Sequence, residues 1–223
     1  MKEWTSPDGR MRLINGDCME FMRGLPDKAF QLAIVDPPYG IGISSNPIRQ
    51  RHEKKAWGSE IPNEAYFKEL FRVSQNQIVW GGNYFSLPAS QGFLIWDKIQ
   101  PHDFSLAMCE YAWTSFQKPA KIWKKSVLAE KNKIHPTQKP VALYRWLFQN
   151  YAKAGDRILD THVGSASSFI AAWEKGFEIT GCELDGDYFD AAVARIEKAM
   201  QQPSLPFATL TPLQPQHIAQ ELF

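Results

Sequence analysis

Short apolar runs of strand length alternate with helical patterns along most of this 223-residue chain. The apolar runs predict strands over 12–16, 31–35, 77–80, 93–96, 111–116, 157–159 and 179–182. Apolar residues at helical spacing predict helices over 19–23, 63–74, 141–152, 165–175 and 187–200. Such alternation is typical of a mainly parallel sheet with helices on both faces, and we therefore predict an α/β fold.

The alternating pattern continues without an interdomain linker as far as residue 200. We therefore predict a single domain over residues 1–201. Residues 202–223 differ, because they contain four prolines, few charges and little periodicity. That composition predicts a flexible tail.

The composition excludes several classes of protein. Hydrophobic residues make up 44% of the chain and aromatic residues 13%, which is too apolar for a disordered protein. No apolar run approaches the roughly 18 residues that a membrane-spanning helix needs. The three cysteines, Cys18, Cys109 and Cys182, lie far apart without CxxC spacing, which argues against disulfides and a zinc site. We expect a soluble cytoplasmic protein with no membrane segment and no metal.

Four of the predicted strands stop at an acidic residue, and these residues are Asp17, Asp36, Asp160 and Glu183. In open α/β sheets, ligands bind beyond the carboxyl ends of the strands. Carboxylates in that position can accept hydrogen bonds from ribose hydroxyls and amino groups, and they can offset a positive charge. One such residue is more often a helix cap, but four in one chain favour a ligand cleft.

Residues 160–167 form a turn of small residues between a strand and a helix, and Glu183 closes the next strand about 20 residues later. Dinucleotide-binding units use this spacing, with backbone N–H groups facing the ligand and the acidic residue on the ribose. The glycine pattern is degraded, because Ala166 stands where a tighter motif has glycine. The unit therefore indicates either a nucleoside cofactor or a plain βαβ connection.

The most specific motif is Asp36-Pro37-Pro38-Tyr39, at the end of a predicted strand. Four specified residues recur by chance about once in 10⁵ positions. The prolines fix φ and cannot donate hydrogen bonds, so the Pro37 carbonyl can face outward as an acceptor beside the Asp36 carboxylate. Two acceptors suit an exocyclic amino group, and Tyr39 offers a flat face on which an extruded base can stack. A rigid turn would explain the prolines but not the combination.

With this motif the chain resembles the amino-group DNA methyltransferases, which use S-adenosylmethionine. The resemblance implies a Rossmann-like methyltransferase fold and assigns the catalytic motif to Asp36, Pro37, Pro38 and Tyr39. The leading Asp and the Tyr favour adenine N6 over cytosine N4. The catalytic motif precedes the cofactor loop, which is the permuted order of the family's beta class, and the resemblance covers about residues 10 to 200.

The same resemblance implies how the cofactor is held. The segment 135–140, His-Pro-Thr-Gln-Lys-Pro, is similar to the segment that opens the first helix of the family and holds the methionine carboxylate. Residues 160–167 resemble the glycine loop of the family. Glu183 resembles the acidic residue that binds the ribose, and Asp17 resembles the residue that recognises the adenine of the cofactor. The implied cofactor-binding residues are Asp17, Cys18, Asp36, Thr137, Gln138, Lys139, Asp160, His162, Gly164, Ser165, Ser167 and Glu183.

The chain departs from the family pattern in two places. The loop of the family reads Asp-Pro-Phe-x-Gly-Ser-Gly, and here Thr161, His162 and Ala166 replace its Pro, its Phe and its last Gly. His162 either packs on the cofactor as the Phe does or weakens its binding. The DNA-recognition insert is also short, near residues 117–134, which favours a short target, relaxed specificity or a second subunit in a homodimer.

The net charge of +1 conceals two basic segments. Residues 45–57 carry +3 and residues 117–134 carry +5, which leaves −7 on the rest of the chain. A solvated face is the ordinary explanation for either segment alone, but two of them favour a polyanionic partner. We expect double-stranded DNA, whose phosphates would be contacted by Arg49, Arg51, Lys54, Lys55, Lys121, Lys124 and Lys125.

The function expected from these features is methyl transfer from S-adenosylmethionine to the N6 of a flipped adenine in DNA. One alternative is the same fold acting on cytosine N4 or on a nucleobase in RNA. Another is a degenerate module that binds nucleic acid or cofactor without turnover. The altered cofactor loop motivates the second alternative, and the intact Asp36–Tyr39 motif argues against it.

The tail contains two segments, 202–207 and 220–223, that resemble the peptides with which bacterial replication and repair proteins dock on the sliding clamp. In such peptides Leu and Phe fill an apolar pocket while Gln contacts its rim. Short combinations of this kind also arise easily in Pro-rich disordered tails. The tail is thus expected to be either a clamp-docking peptide or a plain spacer.

Overall fold

The computed structural model describes residues 2–41, 61–101, 107–126 and 133–201. Nine strands lie in these ranges, β1 (Lys2–Thr5), β2 (Met11–Asn15), β3 (Phe30–Val35), β4 (Ser74–Trp80), β5 (Phe93–Asp97), β6 (Cys109–Thr114), β7 (Lys121–Lys124), β8 (Arg157–Asp160) and β9 (Glu178–Glu183). Five α-helices accompany them in the same ranges, α1 (Cys18–Arg23), α2 (Glu64–Val73), α3 (Val141–Tyr151), α4 (Ser167–Lys175) and α5 (Gly186–Gln201).

The strands form one sheet in the order β1-β2-β9-β8-β3-β4-β6-β5-β7. Strands β2, β9, β8, β3 and β4 are neighbours that pair in parallel. Strand β6 pairs antiparallel with both β4 and β5, and β7 pairs in parallel with β5, so β5 and β7 run in the same direction as β4. The predicted α/β fold with a mainly parallel sheet is confirmed.

Helices cover both faces of this sheet. In β3, Leu32 and Ile34 belong to one buried apolar cluster, whereas the alternate residues Ala33 and Val35 belong to a second. Helices α3, α4 and α5 contribute to the first cluster the buried side chains Leu143, Leu147, Phe148, Phe169, Ala172, Phe189 and Ile196. Helices α1 and α2 contribute to the second Met22, Tyr66, Phe67, Leu70 and Val73.

The strands and helices predicted from the sequence are all present, within a few residues at their ends. The sequence did not predict β1 and β7, because each has only four residues, most of them exposed and several of them charged. Both strands lie at the edges of the sheet. An edge strand needs no continuous apolar face, so hydrophobic periodicity does not detect it.

Several sequence predictions fall partly or wholly outside the described residues. The basic residues Arg49, Arg51, Lys54 and Lys55 and the whole tail 202–223 lie there. Within the described part of the 117–134 segment, residues 121–124 form β7, which extends the sheet beside β5. Within the ranges described, none of the helices combines the length and apolar composition needed to cross a membrane.

At Gly181, strand β9 packs closely against the loop that follows β8. A Cβ at this position would lie 2.5 Å from Val163 Cγ2 and 2.7 Å from the carbonyl oxygen of Asp160. We expect Gly181→Ala to lower the free energy of unfolding by about 1–3 kcal/mol, as overpacking does, when measured by urea denaturation.

The control for this prediction is Gly24→Ala, at the exposed end of α1, where the nearest atom to the new Cβ is Phe21 O at 3.6 Å. A surface change of this kind should alter the free energy of unfolding by less than about 0.5 kcal/mol. Equal stabilities of the two variants would contradict the packing described for Gly181.

Candidate active site

Four neighbouring parallel strands, β2, β9, β8 and β3, place their acidic residues along one edge of the sheet. Asp17 follows β2, Asp36 follows β3, and Asp160 and Glu183 end β8 and β9. Asn15 of β2 pairs with Glu183, so these two strands finish level with each other. The prediction that the four carboxylates share the carboxyl edge of the sheet is confirmed.

Two of these carboxylates organise the backbone around them. Asp17 caps α1 by accepting a hydrogen bond from the backbone N–H of Met19 at 2.8 Å. Glu183 accepts one from the N–H of Gly164 at 2.8 Å and another from the N–H of Asp185 at 3.0 Å. Glu183 thereby ties the end of β9 to the loop after β8, which is the loop predicted to face a cofactor.

Asp160 is a buried carboxyl with two internal donors. Its side chain is bonded by the hydroxyl of Ser168 at 2.6 Å and by the N–H of His162 at 3.1 Å. Burial raises the pKa of Asp160 to about 7, although these two hydrogen bonds oppose the shift. Asp160 therefore holds the loop onto the start of α4 and titrates near neutral pH.

Left-handed backbone at two positions shapes the turn between Asp160 and α4. Gly164 has a φ of +52° and Ala166 a φ of +59°. Ala166 is fully buried, and a left-handed conformation costs an L-residue roughly 1–2 kcal/mol that glycine avoids. This conformation explains physically why the related loop has glycine at this position. Beyond it, the guanidinium of Arg195 donates to the Ser165 carbonyl oxygen and to Ser167 Oγ.

His162, which departs from the family pattern, belongs to a chain of side-chain hydrogen bonds. Its Nδ1 lies 2.9 Å from the hydroxyl of Thr161, and that hydroxyl lies 2.6 Å from the hydroxyl of Tyr66 on α2. The imidazole also makes an edge contact with the Tyr66 ring. Burial lowers the pKa of His162 to about 4, so the ring is neutral at physiological pH. His162 thus makes an aromatic contact with α2, as a Phe could, and adds a hydrogen bond to Thr161, which in turn bonds Tyr66 of α2.

The Asp36-Pro37-Pro38-Tyr39 motif lies directly after β3, with Pro37 buried. The Tyr39 hydroxyl donates to Asp36 Oδ1 at 2.5 Å, and Lys139 Nζ donates to Asp36 Oδ2 at 2.5 Å. The Tyr39 ring is stacked on that of Tyr84, with centroids 5.1 Å apart and an interplanar angle of 15°. Gly81 is required beside it, because a Cβ there would lie 2.2 Å from the Tyr39 ring.

Lys139 is the centre of a buried charged cluster. Its side chain is only 3% exposed, and its Nζ also lies 3.0 Å from Glu110 Oε2. The other oxygen of Glu110 lies 2.7 Å from Lys98 Nζ. Burial alone would lower the pKa of Lys139, but Asp36 and Glu110 outweigh burial and raise it. Burial raises the pKa of Glu110, but the positive charges of Lys139 and Lys98 outweigh burial and lower this pKa to about 2.

The remaining residues of the 135–140 segment support its own backbone. Gln138 Oε1 accepts from the N–H of Ile134 at 3.1 Å, and the Thr137 hydroxyl lies 3.1 Å from His135 Nδ1. His135 packs edge-on against Tyr188 of α5. Of the three residues predicted here for the cofactor carboxylate, Lys139 instead directs its ammonium to Asp36.

Sequence reasoning missed Glu110, Lys98 and Tyr84. Glu110 gave one signal, because it is an acidic residue directly before the apolar start of the strand predicted over 111–116. Lys98 follows β5 and reaches Glu110 because Asp97 pairs with Cys109 across the antiparallel strands β5 and β6. That register comes from the tertiary structure, so the sequence alone could not place these two side chains together.

The predicted DNA-binding lysines of the 117–134 segment lie at opposite ends of strand β7, and therefore at the amino and carboxyl edges of the sheet. Lys124 ends β7 at the carboxyl edge, where its Nζ lies 3.6 Å from Asp97 Oδ2, and Lys125 follows it. Lys121 begins β7 at the other edge, and its Nζ donates to Asn150 Oδ1 near the end of α3 at 2.7 Å. The structure therefore separates Lys121 from the edge that carries Asp36.

Comparison with known proteins places these features in a family context. The N6_N4_Mtase family model, described as DNA methylase, matches residues 93–194. A protein of Escherichia coli (strain K12) described as a methylase, YubD, is 28% identical over 219 residues, which cover 86% of this chain and 93% of the relative. The matched family range includes Glu110, the 135–140 segment, the cofactor loop and Glu183.

Two solved structures share the fold. The cytosine-N4-specific PvuII DNA methyltransferase superposes with a TM-score of 0.60 at 15% identity, over 88% of this chain and 91% of that chain. The complex of M1.HpyAVI with S-adenosylmethionine superposes with a TM-score of 0.58 at 17% identity, over 83% of this chain and 99% of that chain. The Rossmann-like fold predicted from the motifs is confirmed.

Asp160→Asn should weaken the pH dependence of stability between about pH 4 and pH 7. In the folded chain the pKa of Asp160 is raised from 3.8 to about 7, so the folded state keeps a proton that the unfolded chain has released. The free energy of unfolding contributed by this group therefore falls as the pH rises through that range. Asn does not ionise, and urea unfolding at pH 5 and pH 8 should show a smaller loss of stability for the variant.

Asp187→Asn, which removes an exposed carboxylate on α5, controls for the removal of one negative charge. If the wild type and Asp160→Asn lose equal stability between the two pH values, the raised pKa of Asp160 is wrong.

Proposed function

We propose that this chain is an N6/N4 amino-group DNA methyltransferase and that it transfers a methyl group from S-adenosylmethionine to the N6 of an adenine in double-stranded DNA. The observation that carries the proposal is the Asp36–Tyr39 motif at the carboxyl edge of the sheet, where Asp36 is held by Tyr39 and Lys139. The leading Asp and the Tyr support adenine over cytosine.

S-adenosylmethionine fits the carboxyl edge of β2, β9 and β8. Asp17, Asp36 and Glu183 provide negative charge for its sulfonium and acceptors for its hydroxyl and amino groups. Leu184, directly after Glu183, is 71% exposed and offers an apolar surface for the adenine ring. At Gly164 the backbone turns without a side chain, which lets a ligand approach it.

The target amine would be held by Asp36 and the Pro37 carbonyl. An ionised Asp36 accepts a hydrogen bond from the amino group and draws the nitrogen lone pair out of conjugation with the ring. Base stacking on Tyr39 is worth about 1–3 kcal/mol, and the base would share this ring with Tyr84, which already stacks on it. These residues thus fix both the plane and the reacting edge of the base.

Positioning and electrostatics account for the role of the protein in the reaction. Bound S-adenosylmethionine supplies a methyl group that is already activated by its sulfonium. The amine nitrogen, oriented by Asp36, forms the bond to the methyl carbon as the carbon–sulfur bond breaks. The methylated nitrogen then releases one proton, for which Asp36 is an acceptor.

DNA would approach along the carboxyl edge of β5 and β7. Lys124 is 67% exposed in its side chain and lies with Lys125 at the same carboxyl edge of the sheet as Asp36. Both ammonium groups can contact phosphates beside a flipped base. We therefore assign phosphate contacts to Lys124 and Lys125 and assign none to Lys121.

Two partner proposals rest on the sequence. The short recognition segment near 117–134 leaves room for a second copy of the chain to complete DNA recognition, as in a homodimer. The tail 202–223 would dock on a sliding clamp and thereby raise the local concentration of the enzyme at newly made DNA. The tail lies outside the described residues.

Asp36→Ala should abolish methyl transfer while leaving S-adenosylmethionine binding largely intact. The reason is that Asp36 mainly orients the target amine, while Asp17 and Glu183 remain to hold the cofactor. Glu110 also remains as a counter-ion for Lys139 in the variant. Turnover is measured with labelled cofactor and DNA, and cofactor affinity by titration calorimetry. Near wild-type turnover of Asp36→Ala would contradict the catalytic assignment.

The double variant Lys124→Ala, Lys125→Ala should bind DNA more weakly and with a smaller salt dependence. The slope of log K against log salt concentration should fall by about 0.9 for each phosphate that the variant no longer neutralises. The control is Lys118→Ala, Lys121→Ala, since both of these ammonium groups bind Asn150 at the opposite edge. The assignment fails if the two double variants change the slope equally or if neither changes it.

A further inference from the structure

Both oxygens of the Asp36 carboxylate are engaged in the described structure. The Tyr39 hydroxyl bonds Oδ1 at 2.5 Å, and the Lys139 ammonium bonds Oδ2 at 2.5 Å. An ammonium at this distance neutralises much of the charge that would polarise a target amine. The proposed function therefore requires the protein to loosen the hold of Lys139 on Asp36 when the base arrives.

Glu110 is placed to receive Lys139. Its Oε2 lies 3.0 Å from Lys139 Nζ, on a strand that contributes nothing to the motifs recognised in the sequence. Lys98 bonds the other oxygen of Glu110 at 2.7 Å, with its own side chain 9% exposed. The ammonium of Lys139 thus lies between two carboxylates, and one of them is anchored by a second lysine.

We propose that Glu110, anchored by Lys98, is a positioning residue for methyl transfer. When the target amine replaces the Lys139 ammonium on Asp36, Glu110 keeps that ammonium bound to itself. This inference rests on the proposed function and extends it to a residue on β6. This change of partner needs only a small shift of the Lys139 ammonium, from Asp36 toward Glu110, and it already contacts both carboxylates. Lys139 keeps Glu110 as a counter-ion throughout, and Asp36 accepts a hydrogen bond from the amine in place of the one from the ammonium.

The charge balance of the cluster supports this role. Asp36 and Glu110 carry two negative charges, and Lys98 and Lys139 carry two positive charges. If Glu110 were neutral, Lys139 would have Asp36 as its one carboxylate partner in this cluster and would bind it more tightly. Asp36 would then be a weaker acceptor for the amine, and an unbalanced positive charge would lie near the cofactor sulfonium.

Other groups around Asp36 are common to all the variants compared below. Tyr39 faces it from its own loop, Asp160 from the end of β8, and Tyr144 from α3, and each interacts with it electrostatically. Burial and the negative charge of Glu110 raise the pKa of Asp36, and the positive charge of Lys139 lowers it. Removing Glu110 or Lys139 should therefore move the titration of Asp36 in opposite directions.

The test compares Glu110→Gln and Lys139→Met in full-length protein. Glu110→Gln should lower kcat by about 10- to 100-fold, the effect of weakening one charged hydrogen bond, with a smaller change in KM for DNA. The acid limb of its pH–rate profile should move to lower pH, while that of Lys139→Met moves to higher pH. Carbon-13 NMR titration of the Asp36 carboxyl in the free protein should show the same opposite shifts without any turnover.

Glu174→Gln is the matched control. Glu174 is 25% exposed in its side chain, against 23% for Glu110, and it is paired with Arg145 on the helical layer. This variant should leave kcat and the pH profile unchanged. Glu110→Asp, which keeps the charge, should restore part of the kcat and return the acid limb toward that of the wild type. Thermal unfolding checks that each variant is folded. If Glu110→Gln is not folded, it is replaced by Lys98→Met, which removes the ammonium that anchors Glu110.

The outcomes separate this inference from the proposed function. If the wild type transfers no methyl group to DNA, the proposed function fails before any variant is compared. If the wild type is active and Glu110→Gln has wild-type kcat, or if its acid limb and that of Lys139→Met shift in the same direction, the role of Glu110 is overturned and the proposed function stands.

Discussion

The ion pair between Lys139 and Asp36 joins segments 103 residues apart in the chain, and the geometry of the site depends on it. It ties the segment before α3 to the loop after β3. A buried ammonium and carboxylate lose their hydration, and the pair is stable only where further partners compensate for that loss. Tyr39, Glu110 and Lys98 are those partners. The same contacts that stabilise the charges also hold the proposed catalytic carboxylate in place.

The part of the carboxyl edge proposed to hold the cofactor is shaped mostly by backbone geometry. The loop after β8 bends through left-handed residues at Gly164 and Ala166 and is tied down by Glu183 and Asp160. These contacts fix the loop at the carboxyl edge of the sheet, where β2 and β9 end level with each other. In the mechanism proposed here, a cofactor side fixed by backbone geometry therefore faces a target side whose charges rearrange when the base binds.

Much of this arrangement could be predicted from the sequence, because the strands of a parallel sheet carry continuous apolar runs and their ends share one edge. The carboxylates at positions 17, 36, 160 and 183 followed from that rule alone. Glu110 and Lys98 did not, since their meeting depends on the register of two antiparallel strands. The left-handed conformation of Ala166 was also hidden, because an alanine gives no local sign of positive φ. Sequence patterns thus predicted which carboxylates share one edge of the sheet and missed how the charges beside Asp36 are balanced.

The most direct test of this account is the identity of the modified nucleoside. The full chain is incubated with double-stranded DNA and methyl-labelled S-adenosylmethionine, and the DNA is digested to nucleosides for mass spectrometry. The account predicts that the label appears in N6-methyladenine. Label in N4-methylcytosine, or in no nucleoside at all, would contradict it.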